Sequence, residues 1–278
     1  IKAYKKAIML KPDYVEALNN MGVALQGQGK FEEALKVYYK AISIKHDYYE
    51  VYSNIGNIFK DQDNLEEAIE KYKKAISIKP DYAEAYFNLG CVIYNKGFLE
   101  EAIEKYKKAI SIKPDYAEAY YNIGVALTEN KKLDKAIKAY KKTISIKPDY
   151  AEAYTNMGIV LQKQGRLKEA LKTYKKSLSL KPDYAKTYTN IGIVLQEQCK
   201  LEQSIKAYKK ALILNPNDAD AYYNMGVALQ KQGKLDEAIK SYNKAILSKS
   251  NYPAAFYNKS LVLKDQDKLE ESIEACKE

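Results

Sequence analysis

Tryptophan is missing from this 278-residue sequence, histidine occurs once and cysteine three times. The thiols Cys91, Cys199 and Cys276 are odd in number and far apart, which excludes a disulfide framework and a CxxC metal pair. Reduced thiols suit an intracellular, cytoplasmic setting. His46 stands alone, Cys91 has no histidine in its neighbourhood, and no base accompanies Cys199. No Gly-rich phosphate loop or metal-ligand spacing occurs either. The sequence therefore reads as that of a non-enzyme, with no catalytic residue, metal or cofactor. No apolar run approaches the roughly 20 residues that cross a bilayer, and no signal peptide is visible. Residue 1 is Ile and falls inside a repeat, so the chain is expected to be part of a longer one. Gly (12) and Pro (7) are sparse, while 27 tyrosines and many Lys, Ala, Ile, Leu and Glu give a helical composition.

What is present is periodic. Lys-Pro-Asp-Tyr occurs at 11–14, 79–82, 113–116, 147–150 and 181–184. Lys-His-Asp-Tyr at 45–48 and Asn-Pro-Asn-Asp at 215–218 keep the same 34-residue frame. A single array is expected, with full repeats at 15–48, 49–82, 83–116, 117–150, 151–184, 185–218 and 219–252. Residues 1–14 close an earlier repeat and 253–278 form an incomplete last one. A period of this length marks stacked helical hairpins. Asp81 reads as an N-cap and Glu84 as the far half of a capping box. The pair recurs as Asp13/Glu16, Asp47/Glu50, Asp115/Glu118 and Asp149/Glu152. The first helix (A) is expected over Ala83–Asn95 and the second (B) from about Glu100 to Ile112, stopped by Pro114.

Gly22, Gly56, Gly90, Gly124, Gly158, Gly192 and Gly226 fall mid-helix, where Gly costs about 1 kcal/mol against Ala. A packing reason is required. The small row Ala34, Ala68, Ala102, Ala136, Ala170, Ser204 and Ala238 on helix B suggests that small faces small. Tyrosines recur on helix A (Tyr52, Tyr86, Tyr120, Tyr154, Tyr188, Tyr222) and on helix B (Tyr38, Tyr72, Tyr106, Tyr140, Tyr174, Tyr208, Tyr242). Helical spacing reads both as core rather than as platforms for stacked bases.

This order of aromatic, apolar-Gly, Ala, Tyr, Ala and Pro resembles the tetratricopeptide-repeat (TPR) family over essentially the whole chain. The resemblance implies an all-α, right-handed α-solenoid of antiparallel helix pairs, with helix A lining a concave groove and helix B on the convex side. The last repeat departs from the pattern: Lys259 and Ser260 replace apolar-Gly, Asp267 replaces the turn Gly, and Cys276 replaces Tyr.

Against that fold the candidate sites can be placed. Asn20, Asn54, Asn88, Asn122, Asn156, Asn190, Asn224 and Asn258 fill one helix-A position in eight repeats. Each amide offers a donor and an acceptor, which suits either an extended peptide backbone in the groove or a bond to the neighbouring repeat. The ladder is similar to that in the repeat arm of O-linked N-acetylglucosamine transferases. Beside it lies a variable row, including Phe87, Tyr121, Thr155, Thr189 and Tyr223, which reads as groove specificity or as drift at an exposed position. The chaperone-clamp subset of the family uses a Lys/Asn/Asn/Lys/Arg set. Its first position holds Asn19, Ser53, Phe87 and Tyr121 here, which excludes that use.

The net charge of +10 invites a nucleic-acid partner. The recurring Lys-Lys pairs (Lys73-Lys74, Lys107-Lys108, Lys141-Lys142) instead read as a solvated convex face, so nucleic acid is disfavoured. The leading expectation is a protein-interaction scaffold that binds an extended segment of a protein or peptide. Two others stand beside it: the substrate-recognition arm of a glycosyltransferase of the kind just named, and a filament self-associating head to tail through uncapped ends.

Overall fold

The computed structural model describes the backbone of residues 1–277 and side chains through residue 275, so the side chain of Cys276 lies outside the described residues. Among the described residues there are seventeen helices and no strand, as the periodicity predicts. Helix α1 (Lys2–Leu10) precedes alternating A and B helices. The A helices are α2 (Val15–Gln26), α4 (Tyr49–Asp61), α6 (Ala83–Asn95), α8 (Ala117–Glu129), α10 (Ala151–Lys163), α12 (Ala185–Glu197), α14 (Ala219–Lys231) and α16 (Pro253–Asp265). The B helices are α3 (Phe31–Ile44), α5 (Leu65–Ile78), α7 (Leu99–Ile112), α9 (Leu133–Ile146), α11 (Leu167–Leu180), α13 (Leu201–Leu214), α15 (Leu235–Ser248) and α17 (Leu269–Lys277). The chain divides into two compact units, residues 1–146 and 147–278. Within each, an A helix packs on the B helix of its own repeat and that B helix on the next A.

The packing at the mid-helix glycines differs from the small-on-small expectation. Each glycine faces the helix-B tyrosine of its own repeat. A Cβ built on Gly22 would lie 2.3 Å from Cε1 of Tyr38, and one on Gly124 would lie 2.5 Å from Cε1 of Tyr140. Those rings are the largest fully buried side chains of the fold. Gly is thus set first by a flat ring lying on the helix backbone, with the Ala row also near at Gly90, where Ala102 O would lie 3.3 Å from an added Cβ. In unit 1–146 the ring of Tyr38 joins Leu18, Met21, Leu25, Val51, Ile55 and Ile58 in one core. In unit 147–278 Tyr208 and Tyr242 join Ile205, Leu229 and Val262. The helix-A tyrosines are only half-buried, so the core reading holds for one row and not for the other.

The capping boxes are not formed. The N-caps of the A helices are Tyr14, Tyr48, Tyr82, Tyr116, Tyr150 and Tyr184, one residue after the Asp, and none makes a side-chain cap bond. Asp218 occupies that tyrosine position in α14, and there the carboxylate does accept from the Ala221 amide, at 3.0 Å. What the Lys-Pro-Asp-Tyr turn supplies instead is a cation over a ring. Lys113 Nζ lies 4.8 Å from the centroid of Tyr116, and Lys181 Nζ lies 4.8 Å from that of Tyr184. The first-turn glutamates reach the same lysines, Glu84 to Lys113 at 3.9 Å and Glu152 to Lys181 at 3.1 Å. Proline does not set the end of helix B. Lys45, followed by His46, and Lys249, followed by Ser250, leave their helices in the same extended conformation (φ −124° and −146°) as Lys113 before Pro114 (φ −123°).

Candidate interaction face

The ladder asparagines lie along the A helices, and the polar network around them starts from the buried tyrosines. Several B-helix hydroxyls emerge beside the last turn of the A helix of their own repeat and are met there. Tyr38 donates to Gln26 (3.4 Å), Tyr174 to Gln162 (3.2 Å), Tyr208 to Gln196 (3.1 Å) and Tyr242 to Gln230 (2.8 Å). Where that position is Lys60, Tyr72 donates to Asn57 at 2.7 Å instead. Burial pushes these hydroxyls far above the ordinary tyrosine range, so they remain protonated donors. The glutamine row at 26, 162, 196 and 230 escaped the sequence reading, although its recurrence at multiples of 34 was visible.

The asparagines themselves are mostly half-buried, with Asn20 exposed. Several bridge to the preceding repeat. Asn54 Nδ2 donates to Asn19 Oδ1 at 2.9 Å, Asn258 Nδ2 to the Tyr223 hydroxyl at 3.0 Å, and Asn122 Nδ2 to Cys91 Sγ at 3.4 Å. Asn224 turns to the carbonyl of Asp220 in its own helix (2.8 Å). Asn190 differs: its Nδ2 is buried and has no hydrogen-bond partner. Such an orphan donor costs about 1–3 kcal/mol unless something supplies an acceptor. In unit 1–146 the ladder borders a pocket of ≈ 230 Å³ lined by Cys91, Tyr94, Asn95, Tyr106, Asn122 and Val125. Burial raises the Cys91 thiol above its usual range, which leaves it a neutral wall of that pocket.

Phe87, Tyr121, Thr155, Thr189 and Tyr223 of the variable row do not lie open, whereas Tyr257 at its end is exposed. Thr155 is fully buried, within 2.8 Å of Ser177 Oγ and 2.7 Å of Thr187 Oγ1. Thr189 is buried and bonds Asp218 Oδ2 at 3.2 Å. The Phe87 ring centroid lies 4.8 Å from that of Tyr116, and that of Tyr223 lies 5.1 Å from Tyr252. Tyr121 packs on Tyr140 at 5.9 Å. The drift reading therefore fails for these residues. Phe87, Thr189 and Tyr223 meet the residue 29 positions on, at the start of the next A helix, so these contacts belong to the repeat junctions.

Among the described residues no three His, Cys, Asp or Glu side chains gather as a metal site, and no helix is long and apolar enough to cross a membrane. His46 is exposed, and Cys199 sits exposed in the turn after α12.

Helix pairs repeating every 34 residues, seven of them with a tyrosine laid on a glycine, define the tetratricopeptide-repeat class of protein-interaction scaffolds. Residues 14–257 match the model of the cilia and flagella-associated protein 70 C-terminal domain, and the chain belongs to that family. Comparison with curated protein sequences finds no match. Among solved structures, MamA is 30% identical with a TM-score of 0.55, over 59% of this chain and 96% of its own. YrrB, described as a TPR protein with an unusual peptide-binding site, is 24% identical with a TM-score of 0.55, over 69% of this chain and 98% of its own. The pilF protein of Pseudomonas aeruginosa is 19% identical with a TM-score of 0.66, over 74% and 94%. The last two show likeness of fold alone.

Proposed function

We propose that the chain is a non-catalytic scaffold whose A-helix face takes an extended peptide segment of a partner protein, held by the asparagine ladder. The observation that carries this reading is the ladder itself, one A-helix position that holds Asn in eight repeats; Asn54, Asn122 and Asn258 bridge to the preceding repeat, while the Asn190 amide nitrogen has no acceptor. A peptide carbonyl is the acceptor of the right chemistry. Contacts to backbone amides and carbonyls are blind to side chains, so selectivity falls to what borders them. In unit 1–146 that is the Cys91 pocket and the half-buried rings of Phe87 and Tyr121; in unit 147–278 it is Tyr223. Thr155 and Thr189 act by holding the repeat junctions. That YrrB is described as having a peptide-binding site agrees with this use of the fold.

Peptides selected on the wild-type chain from a random display library provide the probe. Asn122→Ala, Asn156→Ala and Asn190→Ala combined should weaken the selected peptides about tenfold or more, the scale of one or two hydrogen bonds, with the far-ultraviolet helical spectrum unchanged. Unaltered affinity, or a library that yields no binder, would count against the ladder.

A further inference from the structure

Unit 147–278 carries a second groove on its B-helix side, of ≈ 720 Å³, lined by Lys168, Leu171, Lys172, Lys175, Gln198 and Lys200. Unit 1–146 has the same groove two repeats earlier, at ≈ 380 Å³, where Glu100, Ile103, Glu104, Lys107 and Lys132 stand in place of Lys168, Leu171, Lys172, Lys175 and Lys200. The backbone positions correspond, and the charge is reversed at two of them, Glu100/Lys168 and Glu104/Lys172. In the first unit the groove is closed by a clasp: Glu100 accepts from Asn130 and, at 3.3 Å, from Lys132. Similar clasps join Lys96 to Glu66 (2.6 Å) and Gln266 to Asp236 (2.9 Å). The counterparts of Asn130 and Lys132 are Gln198 and Lys200, and the residue across from them is Lys168 rather than a carboxylate. Among the described residues no ion pair or side-chain hydrogen bond is made by Lys168, Lys172, Lys175, Lys200 or Gln198. The one nearby acid on α11, Glu169, is held by Arg166 at 2.7 Å.

We propose that this groove binds an acidic peptide segment of a partner protein, one of whose carboxylates takes the place that Glu100 holds in the first unit. Four ammonium groups with no internal counter-charge give the electrostatic complement, and the Gln198 amide supplies a neutral donor. The half-buried Leu171 between the lysines gives an apolar floor for an aliphatic side chain of the segment. A peptide fits this mixture better than a nucleic acid, because no aromatic side chain lines the groove to stack a base. The surface is separate from the A-helix face, and neither reading depends on the other.

The test uses the full chain and a fluorescein-labelled dodecapeptide of repeated Glu-Glu-Leu, followed by anisotropy at low and high salt. Binding is expected at low salt, with a marked loss as ionic strength rises. Lys168→Glu, which restores the acid of the other repeats, should weaken it about tenfold or more, and so should the exposed pair Lys172→Gln/Lys200→Gln. Lys73→Gln/Lys74→Gln on α5 should change it less than about twofold, since exposed charges far from the groove are screened. If Lys168→Glu fails to fold by circular dichroism, the Gln pair decides alone. Absence of peptide binding, unchanged affinity in the folded groove variants, or tighter binding of a dodecamer of deoxythymidylate would overturn the assignment.

Discussion

A Cβ added at Gly192 would lie 2.4 Å from Cε1 of Tyr208, a ring that is fully buried and donates to Gln196 at 3.1 Å. Neither the ring nor the helix backbone can retreat without losing that bond. Gly192→Ala should therefore destabilise by about 1–3 kcal/mol, the range of overpacked cores, although Ala is the better helix former by about 1 kcal/mol. Chemical denaturation of the variant gives the sign directly, and a stabilised protein would show that the ring yields. The sequence announced that something must press on these glycines. It pointed to the small row that includes Ser204, whereas the nearest group is Tyr208, which lies on helix B within reach of the same turn. Cys199 poses the opposite case. It holds φ +58° in the turn where Gly165 and Gly233 hold +73° and +74°, a conformation that costs a side chain about 1–2 kcal/mol. Cys199→Gly should raise the melting temperature slightly, the relief being partly offset by the freer unfolded chain.

At the scale of elements, the junction between one repeat and the next matters most. Helix boundaries were readable to within a residue, α6 at Ala83–Asn95 and α7 beginning at Leu99 instead of Glu100. The chemistry of the junction was not. Asp-x-x-Glu invites a capping box, yet the chain starts each A helix one residue later, on a tyrosine that the preceding lysine covers. Only at Asp218, where tyrosine is replaced, does a carboxylate cap. Lys113→Ala should cost about 0.5–1 kcal/mol by removing a cation over the Tyr116 ring, measured by thermal unfolding. The clasps on the other side of the junction respond to pH. Hydrogen bonds from Lys96 to Glu66, and from Asn130 and Lys132 to Glu100, hold both carboxyls below the usual carboxylate range. A depressed folded pKa contributes stability above the unfolded value, and that contribution fades as pH falls through the folded one. Acidification from about pH 5 to about pH 3 should thus lower the melting temperature of the wild type more than that of Glu66→Gln/Glu100→Gln. Equal acid sensitivity would show that the clasps carry no weight.

For the whole molecule, a net charge of +10 says little until the lysines have positions. The sequence reading spread them over one solvated face. The structure singles out lysines that cover turn tyrosines, lysines that clasp acids, and the group around Lys168 with no counter-charge, and leaves others such as Lys73 and Lys74 exposed. The asparagine ladder was legible from its period alone, since a poor helix former does not recur at one position without cause. A bond to the neighbouring repeat was legible as one use of it, but the acceptors Asn19, Cys91 and Tyr223 were not, because they belong to rows that vary. The account's central claim is that the A-helix face receives the partner peptide. Hydrogen–deuterium exchange of the full chain with a selected peptide tests it most directly. Peptide-dependent protection should concentrate in A helices that carry the ladder, such as α8, α10 and α12, and vanish in the triple Asn→Ala variant. Protection confined to B helices, with the A helices exchanging as in the free chain, would contradict it.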